Sequence, residues 1–426
     1  MRVFSLFLCV LLLISIQARA TTITELLNAL KNQPQTKADE FFLKSAKAGY
    51  SKTTSLFWPK IYATSSYTHY NSPTSLRPLL PTESSELIRL NKAIPFSKNI
   101  SQIGINVSMP VFVYPLFSLT KKAQALTKAA KTKKKLNFIR NEAAVVLLNA
   151  QLEYVKNLKE AIKGRINSLK AQLNTIKKAV ELGRAAPIDA LKIEDNLNKL
   201  NIQLNKLNSS EYSIIMSIYS LTGIKLKEPA QMELARQVRE KELFQLKPLI
   251  YNLQASKYEL KAKESELFPS IYMKGFIARK FAKSYNTNEH IVKNYGSIGI
   301  YLQIPIFNKV IYADIEKAKS DYMKSQYKLR EYKRQLISQS KSIKEELKIL
   351  NRSMILARKN IKNAKELLEY AKVAFRLKRM TEEEYLRYED ALLSAKAELF
   401  ELKLKKWQDI SKLAIIYGND LKEIVR

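Results

Sequence analysis

The feature that most constrains this chain is that it repeats itself. Ile103-Gly104-Ile105-Asn106-Val107-Ser108-Met109-Pro110-Val111-Phe112 aligns without gaps on Ile298-Gly299-Ile300-Tyr301-Leu302-Gln303-Ile304-Pro305-Ile306-Phe307. The same offset lays Asp189-Ala190-Leu191-Lys192-Ile193-Glu194-Asp195 on Glu384-Tyr385-Leu386-Arg387-Tyr388-Glu389-Asp390, and Gly223 on Gly418. Upstream, Pro59-Lys60-Ile61-Tyr62 matches Pro269-Ser270-Ile271-Tyr272 at a larger offset, so the first copy is longer there. Two copies of one supersecondary unit are therefore expected, over residues 21–226 and 227–426.

Each copy changes its hydrophobic period twice. The first opens with Thr22-Ile23-Thr24-Glu25, which has capping-box spacing, and its helical pattern runs on towards Phe57. The second predicts a helix from about Glu240 to Phe268. Then the period becomes two. Ile103, Ile105, Val107 and Met109 alternate with Gly104, Asn106 and Ser108, and Ile298, Ile300, Leu302 and Ile304 alternate with Gly299, Tyr301 and Gln303. Tyr- and Phe-rich strands are expected from Ile61 and Ile271, with polar loops at residues 71–99 and 284–294. Four strands per chain result, and Pro110 and Pro305 are expected to close two of them.

Beyond the prolines the pattern is helical for a long way. Ile162, Ile166, Leu169, Leu173, Ile176 and Val180 step by four and three, as do Ile193, Leu197, Leu200, Leu204 and Leu207. Ile343, Leu347, Leu350, Met354, Ala357 and Ile361 repeat this in the second copy. These heptad seams predict antiparallel coiled-coil hairpins. Leu116 to Leu182 would make roughly 100 Å of helix at 1.5 Å per residue.

Met1-Arg2, an apolar run from Val3 to Ile16 and the ending Ala18-Arg19-Ala20 read as a signal peptide over residues 1–20. The one Cys, Cys9, lies inside it. With two His besides, disulfide frameworks, Cys/His zinc sites and His-dependent nucleophilic catalysis are excluded. Ser325-x-x-Lys328 falls in a helix without partner motifs, so no enzyme and no cofactor are expected. The formal charge is +34. It reads either as the solvated face of Lys-rich helices or as attraction to polyanions. Lysine interleaved with glutamate along the whole chain argues against nucleic acid.

Short strands with one apolar face, in an exported chain without a membrane-spanning helix, suggest a membrane β-barrel; a small soluble sheet packed on the helices is the other reading. Four strands cannot close alone, so several chains would share one barrel, and three would supply twelve strands. A basic coiled-coil envelope protein that binds anionic surfaces without inserting is the alternative class.

At this level the sequence resembles the TolC family of outer-membrane efflux and export channels, over essentially all of the mature chain. The carriers are Leu56-Phe57-Trp58-Pro59 and Leu267-Phe268-Pro269, the strand exits Gly104-to-Pro110 and Gly299-to-Pro305, and the turn Leu182-Gly183-Arg184-Ala185-Ala186-Pro187-Ile188-Asp189. The resemblance implies a homotrimer in outer-membrane lipid with a twelve-stranded β-barrel and a periplasmic α-barrel. It also implies a periplasmic adaptor gripping the hairpin tips and an inner-membrane pump, in efflux or type I secretion. The tip residues would be Leu182, Gly183, Arg184, Ala185 and Pro187, with Leu377, Lys378, Arg379 and Met380 in the second turn. There the chain departs from the family, with Lys378 for Gly and Glu384 for Asp, while the gate-locking Tyr and Arg fall on Phe375 and Met380. Asp189, Glu382, Glu383 and Glu384 are the expected gate carboxylates. The glutamates either cap the following helix or ring the periplasmic mouth and favour cations, and the two roles are compatible. His69 and His290 are expected at the surface, and Tyr62, Tyr67, Tyr70 and Tyr295 either in an interfacial aromatic girdle or as scattered core aromatics.

Overall fold

The computed structural model describes residues 21–377 and 379–426. Residues 1–20, the expected signal peptide with Cys9, and Lys378 lie outside the described residues. Helix α1, Ile23–Ala29, starts at the expected capping box: the Thr22 hydroxyl accepts the Glu25 N–H at 3.2 Å, and the Glu25 carboxylate accepts the Thr22 N–H at 3.1 Å. The predicted single helix to Phe57 is in fact broken. A 3₁₀ turn leads to extended Gln33 (ψ 149°), and α2 restarts at Pro34–Thr54. Pro34 is the cause, since its ring disfavours helical geometry in the preceding residue.

Four antiparallel strands form one sheet in the order β1-β2-β3-β4: β1 Lys60–Ser75, β2 Phe96–Val113, β3 Ser270–Lys283 and β4 His290–Gln303. The loops are shorter than expected. Residues 71–75 and 96–99 are strand, and a short helix, α3 (Pro81–Arg89), fills the middle of the first connection. Pro110 lies within β2 instead of closing it, beside a register shift against β3. Pairing with β1 stops at Ser108, so Pro110 sits on a locally bare edge where its missing N–H removes no ladder bond.

Helix α4, Tyr114–Glu181, turns into α5, Pro187–Thr222. Helix α6, Lys247–Ser265, precedes β3, starting later than the periodicity suggests. Upstream the chain is pinned to the C-terminus, with reciprocal Glu233–Arg426 backbone bonds and Ala235 N–H to Ile424 carbonyl at 2.8 Å. After β4, α7 (Lys309–Arg376) turns into α8 (Glu382–Tyr417), and α9 (Leu421–Ile424) ends the chain. Helices α4 and α7 have 68 residues each, roughly 100 Å. Gly223 and Gly418 close α5 and α8 in left-handed geometry.

The fold divides into two compact units, each drawing on both halves of the sequence. One takes the described part of Met1–Phe42 with Thr132–Lys247 and Glu331–Arg426; the other takes Leu43–Lys131 and Pro248–Arg330 and holds the sheet. In the first, Ile23, Leu26 and Leu27 of α1 and Leu30 of the following 3₁₀ turn are buried with Val145, Val146, Leu152, Ile218 and Ala414. The expected seam follows: Leu158, Ile162, Ile166 and Leu169 of α4 pack with Ile193 and Leu197 of α5, and Leu386 of α8 joins them. In the second hairpin, Met354 and Ala357 pack on Leu399.

Candidate functional site

The first hairpin turn is built by its backbone. Gly183 sits at φ +66°, and the Arg184 N–H reaches back to the Ala179 carbonyl at 2.7 Å. A side chain at Gly183 would meet nothing within 4 Å, so the cost of replacing it is conformational. Pro187 occupies the first turn of α5, where its missing N–H costs nothing. Leu182, Gly183, Arg184 and Pro187 are exposed and Ala185 is half-buried; Leu182, Ile188 and Leu191 leave apolar side chains in the open.

The second turn keeps one backbone bond of the first. The Arg379 N–H donates to the Ala374 carbonyl at 3.0 Å, the counterpart of the Arg184–Ala179 bond. Leu377 and Arg379 are exposed and Met380 is half-buried. The three acids after it have separate roles. Glu384 is committed to capping: its carboxylate accepts the Thr381 N–H at 2.9 Å and hydroxyl at 3.0 Å. These bonds hold its carboxyl below the usual range. Glu383 pairs with Arg387 at 2.9 Å. Glu382 is half-buried, with one carboxyl oxygen lacking a partner. Burial, and then the charge of Asp189, push its carboxyl up to about 7. The charge of Asp189 thus acts on Glu382, whereas the repeat aligns Asp189 with Glu384.

A buried polar network near these turns has no precursor in the sequence reading. Arg165 of α4 is almost fully buried and forms an ion pair with Glu389 of α8. Its Nε donates to Asp390 at 3.1 Å and its Nη2 to the Leu386 carbonyl at 3.3 Å. Glu389 also accepts from Ser168 at 2.5 Å and from the Tyr385 hydroxyl at 3.0 Å. The Tyr385 ring stacks on Phe375 at 5.0 Å. Burial pulls the Arg165 guanidinium down from its usual pKa, and Asp390 opposes the shift. The network occurs once: the positions equivalent to Arg165 and Ser168 are Asn360 and Asn363, and Glu194 pairs with exposed Lys177 instead. Arg165, directly before the seam residue Ile166, was the one available signal, and Lys163 in the same interval does not share its burial.

The sheet is the other functional surface. Cross-strand partners share a face, so the register sorts every side chain. Ile61, Val107, Gly275 and Ile298 form one row; Ala63, Ile105, Ile277 and Gly296 form the next; Met109, Met273 and Ile300 flank them. All four apolar alternations land on one face, and that face is bare: Ile298 is 77% exposed, Ile300 76% and Ile61 65%. Ile271 to Phe281 spans roughly 33 Å of strand at about 3.3 Å per residue. A tilt near 40° would leave about 25 Å, the height of the lipid-facing band of an outer-membrane barrel. Arg279 lies near the far end of that band, its guanidinium 5.7 Å from the Phe281 ring. The girdle reading needs correction. Tyr67 is on the apolar face, but Tyr62 and Tyr295 share the opposite, polar face with Asn106 and Ala278. His69 and His290 are exposed, and His69 Nδ1 lies 2.6 Å from Asn99 Oδ1.

No family model and no curated protein matches the sequence. Solved structures do match. The Campylobacter jejuni CmeC outer-membrane channel superposes with a TM-score of 0.77 at 15% identity, over 94% of this chain and 85% of that one. The outer-membrane protein VceC of Vibrio cholerae gives 0.76 at 12% identity, over 93% and 96%. The open-state MtrE outer-membrane channel of Neisseria gonorrhoeae gives 0.73 at 13%, over 94% and 90%. This is the fold of the TolC-like outer-membrane channels. Within that fold, four strands per chain and the two long hairpins are accounted for, and no helix among the described residues is long and apolar enough to cross a membrane.

Proposed function

We propose that the chain is one protomer of a trimeric outer-membrane channel serving a multipartite efflux or type I secretion system. The observation carrying this reading is the sheet. The apolar alternations of its four strands gather on one largely exposed face, and β1 and β4 end it with two bare edges. Hydrocarbon does not tolerate unpaired strand edges, and four strands are too few to close. Three copies joined edge to edge make twelve strands with no edge left, apolar outside and polar within.

On this reading residues 21–226 and 227–426 are two copies of one structural repeat. The hairpin turns, with Leu182, Gly183, Arg184, Ala185 and Pro187 in the first and Leu377, Lys378, Arg379 and Met380 in the second, are the contact for a periplasmic adaptor that links the channel to an inner-membrane pump. Asp189 with Glu382, Glu383 and Glu384 lines the periplasmic entrance. The Arg165–Glu389 network ties helix α4 of the first hairpin to α8 of the second and holds the entrance in its resting geometry. The protein does no chemistry on what it carries.

The test is direct. Outer-membrane fractions run unboiled should give a heat-modifiable band near three times the protomer mass, and the purified protein should form discrete conducting channels in planar bilayers. A water-soluble monomer by native mass determination would remove both barrel and function.

A further inference from the structure

We propose that the pore face of the barrel is built to pass anions, and that anionic solutes are the cargo class this channel favours; the inference rests on the barrel reading above. The register places Lys60, Ser108, Lys274 and Gly299 in one row across the four strands. Ser66, Gln102, Lys280 and Lys293 form a second row. The rows are separated by roughly 20 Å along the strands at about 3.3 Å per residue. All four lysines alternate with Ile61, Met273, Arg279 and Val292, so they occupy the face opposite the apolar band. In a membrane barrel that face is the lumen.

Nothing on the sheet neutralises them. The four strands contain no Asp and no Glu. Lys280 and Lys293 are direct cross-strand partners. Like charges in that position weaken a sheet, and an opposing carboxylate is the ordinary remedy. Here the neighbours are aromatic: Lys274 Nζ lies 5.3 Å from the Tyr301 ring centroid, and Lys280 Nζ lies 5.7 Å from that of Tyr295. A ring face orients an ammonium without cancelling its charge. Two bands of uncompensated ammonium groups around a lipid-surrounded lumen keep a positive potential, and rings of Lys or Arg select anions in pores. Three protomers would contribute every lysine three times.

The experiment measures reversal potential across planar bilayers in a KCl gradient. It is run at pH 6, where Glu382, with its carboxyl near 7, is mostly protonated and opposes least. Wild-type channels should favour chloride over potassium several-fold. Lys280→Gln with Lys293→Gln should lower that ratio. Glu at all four positions should invert it, and should the fourfold variant fail to assemble, the Gln pair decides. A potassium-preferring wild-type channel, or a ratio unmoved by the Gln pair, overturns the proposal. Heat-modifiable wild-type protein that never conducts would instead remove the channel reading itself.

Discussion

Removing the Arg165 guanidinium with Arg165→Met tests whether the buried network holds the two hairpins together. Arg165 and Glu389 are both almost fully buried, so the substitution leaves the Glu389 carboxylate with only the Ser168 and Tyr385 hydroxyls. Breaking a buried pair from one side costs about 3–5 kcal/mol, because the stranded charge stays desolvated. Each 1.36 kcal/mol is about a factor of ten in an equilibrium constant. Local opening of α8 around Leu386–Asp390 should therefore become about a hundred- to several-thousand-fold more frequent. Hydrogen exchange of the peptides covering 382–393 reads this opening directly, while the buried α1 segment at 23–30 is the internal control. Glu389→Leu on top of Arg165→Met removes the stranded charge, and the pair should return to within about 1 kcal/mol of wild type. Bilayer conductance should rise in the single variant and fall back in the double. Exchange in 382–393 that changes less than tenfold, or a double variant whose effect is the sum of the singles, would refute the coupling.

Gly183→Trp keeps an open site but places a bulky residue at φ +66°, costing about 1–2 kcal/mol in the turn; trimers of normal thermal stability should then lose adaptor in pull-down, while Gly183→Asn, which tolerates this geometry, should keep it. Glu382 takes up its proton near 7 in the folded protein, so channel conductance should change between pH 6 and 8, and Glu382→Gln should flatten that profile, whereas Glu384→Gln should leave it in place and loosen the α8 cap. Glu142 is buried against the Leu421 N–H at 2.9 Å, and burial pushes its carboxyl up to about 7. A raised acid binds its proton better folded than unfolded, so its contribution is present at low pH and is lost as pH rises from about 4.5 through 7. Glu142→Gln keeps the acceptor, and thermal unfolding at pH 8 should move closer to that at pH 5.

What the sequence by itself determined is everything set within a few residues of backbone. The switch of period at residue 103, the αL turn at Gly183 with Pro187 behind it, the Thr22 and Thr381 caps and the heptad seam at Ile162–Leu169 each depend on neighbours a turn or a pleat away. Pro34 belongs here too: its effect on Gln33 was legible, and a strong helical period hid it. Tertiary structure decided whatever joins distant positions. The duplication aligns Asp189 with Glu384, yet in the fold the charge of Asp189 raises the Glu382 carboxyl, while the Glu384 carboxylate is bound by Thr381. Arg165 and Glu389 are more than two hundred residues apart, and only packing α4 on α8 turns a charge beside the seam into a buried pair. Alternation alone says that two faces exist on each strand. The register decides which faces coincide, and so collects Ile61, Ile105, Ile277 and Ile298 on one side and leaves Lys280 opposite Lys293 on the other.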